Sequence, residues 1–268
     1  MQANYEPTTK DYLWLHLRDL PYFRAVLRAV EARFYKTIEL TSPTLDLGCG
    51  DGHFASIAFD KPLDFGLDPW TGPLRKALQQ KSYRCVIQGV GDTLPFEDAY
   101  FSNAVSNSVL EHILELDPVI KEIARVLKPG GLFIFCVPNH LFLENLSVSR
   151  FFDKVHLYPI ARAYRTFFNR ISRHFHCDNP ETWLERLTRA GFKLERYWHY
   201  FSPKALTILE WGHYLGLPSL IIHAMFRKWI LVPTRANLWL TRRIVESVYN
   251  EPDEQVEGAY SFFIARKI

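Results

Sequence analysis

Asp46, Asp68, Asp92 and the Glu111-His112 pair are the residues whose type and setting could do chemistry. Asp46 leads into Leu47-Gly48-Cys49-Gly50-Asp51-Gly52. Leu45 and Leu47 read as the apolar end of a buried strand, Gly48, Gly50 and Gly52 as a tight turn, and His53 to Phe59 as the helix leaving it. Glycine lets a ligand approach the backbone closely. A strand, a glycine turn and a helix N-terminus together make a nucleotide cradle. The alternative is an ordinary strand-to-helix turn, with Asp46 as a helix-capping carboxylate. Asp68 closes a second apolar run, Leu63 to Leu67, sixteen positions after Gly52. A ribose-binding acid is expected there, able to accept from both hydroxyls. Asp92 lies in the loop Gln88 to Phe96 after a third strand, where an Asx-turn is the plainer role. His112 is a candidate general base, because its unperturbed pKa lies near neutrality.

The elements that must position these residues alternate. Strands are predicted at Thr44 to Leu47, Leu63 to Leu67, Arg84 to Gln88, Phe101 to Ser106 and Leu132 to Val137, with helices around Leu74 to Gln80 and Asp117 to Leu127. Two more strands, Lys193 to Phe201 and Gly258 to Arg266, complete the set. Such alternation implies an α/β fold with a doubly wound, mostly parallel sheet of seven strands. Ligands bind such sheets at the carboxyl ends of the strands, where every residue above falls. The whole of 1–268 reads as one domain: N-terminal helices over 1–40, a core over 41–138, a lid over 139–178, the rest of the core over 179–201 and 258–268, and a helical insert over 202–250. Arg18, Arg24, Arg28 and Arg33 lie between the apolar positions of the N-terminal helices and read as a solvated face. The aromatic, basic lid follows the fifth strand, so it emerges on the ligand side. His140 and His176 are its candidate substrate-binding residues. Asn179 reads as the N-cap of a helix running to Ala190.

Taken jointly, the glycine turn, the Asp68 and Asp92 segments, Leu110-Glu111-His112 and the turn Lys128-Pro129-Gly130-Gly131 resemble the class I S-adenosylmethionine-dependent methyltransferases, specifically the small-molecule type with a Leu-Glu-His box after the fourth strand. The resemblance is dense over residues 40–138. It implies a Rossmann-like fold and transfer of a methyl group from S-adenosylmethionine to a small acceptor. By the same resemblance Asp46 steadies the glycine loop and the donor's amino group, with Gly48, Cys49 and Gly50 against the methionine and ribose. Pro69 and Trp70 flank the adenine, although Trp70 could equally be surface packing. Asp92 bonds the adenine amino group, and Thr93 and Leu94 line the same pocket. Asn107 and Ser108 approach the methionine carboxylate or the sulfonium. In many such enzymes the box shapes the pocket without removing a proton, so the role of His112 stays open. N-terminal helices often cover the cofactor there, which makes Tyr5, Tyr12 and Trp14 candidates. The spacing Gly48-x-Gly50-x-Gly52 differs from the Gly-x-Gly-x-x-Gly of dinucleotide enzymes and argues against NAD.

Composition bounds the partners. The 268 residues are 48% hydrophobic and 23% charged, an ordinary globular balance. A net charge of +3 is too mild to argue for nucleic acid. Four cysteines without Cys-x-x-Cys spacing indicate no metal site, and Cys49, Cys85 and Cys136 read as buried thiols. No secretory leader is legible, and a cytoplasmic location is expected. The insert is rich in Leu, Ile and Trp flanked by Arg and Lys. It either packs on the body or a second subunit, or lies peripherally on a membrane. A lipophilic acceptor would fit it. A non-catalytic module that keeps the fold, and an RNA or protein methyltransferase, are the alternative functions. Oligomeric state is not legible.

Overall fold

The computed structural model describes residues 10–268. Tyr5 lies outside them. Helices α1 (Tyr12–Leu17) and α2 (Tyr22–Phe34) come first, with Pro21 opening α2 as a fixed φ suits. The core then runs β1 (Thr44–Leu47), α3 (His53–Ala58), β2 (Leu63–Asp68), α4 (Thr71–Gln80), β3 (Tyr83–Gln88), β4 (Phe101–Asn107), α5 (Leu116–Val126) and β5 (Leu127–Pro138). The lid is helical: α6 (Leu141–Glu144), α7 (Ser147–Lys154) and α8 (Tyr158–Ser172). After α9 (Pro180–Arg189) and β6 (Phe192–Tyr200), the insert forms α10 (Pro203–Leu215), α11 (Leu217–Phe226) and α12 (Trp239–Tyr249), and β7 (Tyr260–Lys267) closes the chain.

The sheet order is β3-β2-β1-β4-β5-β7-β6, parallel except for β7, which runs antiparallel to β5 and β6. The order reverses between β1 and β4, which is the switch point where such sheets bind ligands. Alternation along the strands divides the core in two. Ile134 and Cys136 of β5 join the cluster under α1 to α4, whereas Phe133, Phe135 and Val137 join the cluster under α5 and α9. On α5 the residues Leu116, Val119, Ile120, Ile123 and Ala124 are buried, at the spacing of one helical face. The Asn179 side chain accepts from the Thr182 N–H and caps α9 as expected.

Several local expectations change. The predicted turn at Lys128 to Gly131 is instead part of β5, which pairs from Leu127 with an irregularity opposite Phe101 and Asn103. Cys85 is exposed, because β3 is an edge strand, and all four cysteines are free thiols. Tyr12 is buried in the core, and Trp14 stacks under the Arg235 guanidinium at 4.8 Å. Within the insert, α10 and α12 pack on α2, while α11 has no buried residue. Among the described residues no helix is long and apolar enough to cross a membrane.

Candidate active site

Two cavities meet at the carboxyl end of the sheet. The first, about 480 Å³, is lined by Gly48, Asp68, Pro69, Trp70, Asp92 and His112, with Leu67, Val90 and Ile113 among its apolar walls. Asp68 ends β2 and shapes the glycine loop through its two oxygens. The Gly50 N–H donates to one at 3.0 Å, and the Trp70 N–H donates to the other at 2.9 Å. Gly48 and Gly50 both hold positive φ, +74° and +55°. A side chain at Gly48 would strike Val109, whereas a Cβ at Gly50 would meet nothing within 4 Å. The loop therefore presents bare backbone to open space.

The second cavity, about 470 Å³, lies under the lid and insert. Its walls come from α2 (Phe23, Arg24, Arg28), the end of β4 (Ser108) and the following turn (Glu111, His112). The lid supplies Phe142, Arg173 and His174, and the insert supplies Leu209, Leu220 and Trp229. His112 lines both cavities. Its Nδ1 lies 2.9 Å from the Arg173 carbonyl, which only accepts, so Nδ1 carries the proton and Nε2 is the free base. Burial pushes the His112 pKa below its ordinary value, against the opposing hydrogen bond to Arg173, and the ring is neutral at pH 7.

Glu111 is fully buried, and burial raises its carboxyl to about 8, so it stays protonated at neutrality. Its Oε2 has no hydrogen-bond partner. Ligand-capable atoms of Glu111, His112 and His174 lie within 4.8 Å of one another, a donor set that the linear spacing hid. Beside them Glu31 of α2 is wholly buried and fully engaged. It accepts from Arg28 at 2.7 Å, Asn107 at 2.6 Å, Ser108 at 3.1 Å and the Tyr200 hydroxyl at 2.9 Å.

The expected site residues divide accordingly. Gly48, Asp68, Pro69, Trp70, Asp92 and His112 come together around one cavity. The Asp46 side chain makes no hydrogen bond to the loop, and α3 has no side-chain cap. It accepts from the Tyr83 hydroxyl at 2.6 Å on the opposite face from Leu45 and Leu47, and burial lifts it to about 7. Cys49 is buried, and Gly52 packs against Ala77. Leu94 is core, its N–H donating to Glu122, and Thr93 is exposed, so neither lines the cavity. Asn107 and Ser108 are turned to Glu31 instead, although Ser108 borders the second cavity. His140 is exposed outside both cavities. His176 faces away, toward the Leu114 carbonyl at 3.3 Å and Asp178 at 3.3 Å, while His174 two residues earlier points in.

The solvated arginine face holds in part, since Arg18 and Arg24 are exposed. Arg24 and Arg28 line the cavity, and Arg33 donates to the Tyr249 and Glu251 carbonyls. Glu31 is the signal that sequence reading passed over. A charged residue between Val30 and Ala32, with Leu27 and Phe34 beside it on the same helical face, must find buried partners.

A family profile described as a methyltransferase domain matches residues 45–135. The demethylmenaquinone methyltransferase of Streptomyces avermitilis is 30% identical over 197 residues, covering 69% of this chain and 79% of that protein. A sterol 4-C-methyltransferase of Caenorhabditis elegans is 35% identical over 121 residues, 40% of this chain but 35% of that protein. Most other curated relatives are matched over half of their length or less. A solved S-adenosylmethionine-dependent methyltransferase from Thermotoga maritima superposes with a TM-score of 0.56 at 16% identity, over 92% of this chain and 91% of that one, which shows the shared fold. The chain belongs to the class I S-adenosylmethionine-dependent methyltransferases.

Proposed function

We propose that the protein methylates a small lipophilic acceptor with S-adenosylmethionine as donor, releasing S-adenosylhomocysteine. The observation that carries this reading is His112, shared between the glycine-loop cavity and the cavity under the lid. The first suits the donor's adenosine. The Asp68 carboxylate stands where ribose hydroxyls could donate to it, Trp70 offers an exposed ring and Asp92 faces the cavity. When bound, the donor supplies a methyl group activated by its sulfonium. The protein's share is alignment, worth about 7–11 kcal/mol in favourable cases. His112 Nε2 would take the acceptor's proton if the acceptor is a hydroxyl or a carbon acid, with the Arg173 carbonyl holding the ring. The acid-rich donor cavity and the lidded second cavity, walled in part by Phe142, Leu209, Leu220 and Trp229, favour this over an RNA or protein methyltransferase.

The lipophilic acceptor is supported by the walls Phe142, Leu209, Leu220 and Trp229, and by relatives named for a demethylmenaquinone and a sterol. The exposed apolar surface of α11 adjoins this cavity through Leu220. Between Trp211 and Val245 the chain carries five cations and no acid, the pattern of a helix lying on anionic lipid. Peripheral membrane contact through 202–250 follows as part of the proposal. Calorimetric titration with S-adenosylhomocysteine, beside Asp68→Ala, tests the donor site. Saturable binding lost in a folded variant is expected, and no binding to the folded wild type would refute it. Co-sedimentation with vesicles containing phosphatidylglycerol, abolished by Leu220→Glu with Ile221→Glu, tests the membrane contact. Equal failure of both proteins to sediment would remove that part.

A further inference from the structure

The cavity under the lid has a charge imbalance that the methyl-transfer reading does not use. Arg24 lines it, and among the described residues its guanidinium meets no carboxylate, carbonyl or hydroxyl within bonding distance. Its surroundings are hostile to a cation. Arg24 stands in the first turn of α2, which contains no acid, at the positive end of the helix dipole. Arg24 is itself exposed to solvent, so its charge is open to an incoming anion.

No carboxylate on the cavity wall is free to neutralise it. Arg28, one turn along the same face, is paired with Glu31 at 2.7 Å. The remaining acceptor capacity of Glu31 goes to Asn107, Ser108 and Tyr200. The other acid on the wall, Glu111, is held neutral by burial. Arg173 adds a second side chain without an ion partner among the described residues, beside His112. Arg24 and Arg173 are both exposed to solvent where they border the cavity, so two guanidinium groups without an ion partner stand ready to meet an entering anion. Guanidinium forks match phosphate and carboxylate oxygens. The same cavity is apolar at Phe23, Phe142, Leu220 and Trp229.

We propose that this cavity binds an anionic amphiphile, whose phosphate or carboxylate docks on Arg24 and Arg173 and whose hydrocarbon lies against Leu220 and Trp229. The inference rests on the reading of this cavity as the acceptor site and narrows the acceptor class from lipophilic to lipophilic and negatively charged. The same anion chemistry could come from the carboxylate of the methyl donor, so the experiment separates the two.

The probes are octyl phosphate, the uncharged octanol and S-adenosylhomocysteine, each titrated calorimetrically into the full-length protein and into Arg24→Gln and Arg24→Lys, with thermal unfolding to check that each variant is folded. Octyl phosphate should bind and octanol should bind at least about tenfold more weakly. Arg24→Gln should erase that preference, Arg24→Lys should restore part of it, and affinity for S-adenosylhomocysteine should not change. Equal binding of octyl phosphate and octanol to the wild type, or no binding of octyl phosphate while S-adenosylhomocysteine binds, would overturn the inference and leave the donor site standing. Loss of S-adenosylhomocysteine binding in Arg24→Gln would overturn it by giving the guanidinium to the donor's carboxylate. Failure of S-adenosylhomocysteine to bind the wild type would instead count against the methyltransferase site itself.

Discussion

Gly48→Ala and Gly50→Ala should separate a glycine kept for packing from one kept for a ligand. Both positions hold positive φ, so either alanine carries left-handed strain of about 1–2 kcal/mol. At Gly50 nothing else is added, because a Cβ there meets no atom within 4 Å. At Gly48 the Cβ would lie 2.4 Å and 2.5 Å from the two methyl carbons of Val109, and overpacking of that kind costs a further ~1–3 kcal/mol. The expected totals are about 1–2 kcal/mol for Gly50→Ala and about 2–5 kcal/mol for Gly48→Ala. At about 2–4 °C per kcal/mol for a chain of this size, the two melting temperatures should be resolved by scanning fluorimetry. Affinity should not follow stability. Gly50→Ala fills the space reserved above the Asp68-braced loop, and its affinity for S-adenosylhomocysteine should fall about tenfold or more despite the mild destabilisation. A Gly50→Ala protein that melts only the expected few degrees lower yet binds like the wild type would refute the claim that this opening belongs to the ligand. A Gly48→Ala protein no less stable than Gly50→Ala would refute the packing argument.

Two further outcomes follow from the buried charges. Glu31→Ala leaves the buried Arg28 cation unpaired and strips the Asn107, Ser108 and Tyr200 groups of their acceptor, so urea unfolding should show a loss of about 3–5 kcal/mol. A loss below about 1 kcal/mol, the scale of an exposed pair, would mean that the network is not the tie between α2 and the end of β4. Glu111 has a folded pKa raised from 4.5 to about 8 by burial. Its contribution to stability is therefore full below pH 4.5 and lost as pH rises toward 8, at up to ~1.4 kcal/mol per pH unit. Denaturation midpoints of Glu111→Gln should fall less than those of the wild type across that window, and parallel curves would show that Glu111 does not carry the effect.

Much of the glycine-loop cavity was legible in the chain because its determinants are local. Period-two apolar runs fix which strand faces are buried, and closely spaced glycines fix a turn that other residues cannot follow. Asp68 ends the strand next to that turn, and its bonds to Gly50 and Trp70 are made within one crossover. The cavity under the lid was not legible, because its residues are brought together across large separations. Glu31 joins Tyr200, 169 positions away, and His112 is oriented by Arg173, 61 positions away. Nothing in the local pattern of α2 tells an arginine on a solvated face from one on a cavity wall. That difference was made by α10 and α12 packing on α2 and by the lid closing over it. His174 and His176 are alike in type and two residues apart, yet the turn after α8 aims one into the cavity and ties the other to Asp178. Local steric rules determine the strand, the turn and the carboxylate at its end, while charge balance in the second cavity is a property of helices that meet only once the chain is folded.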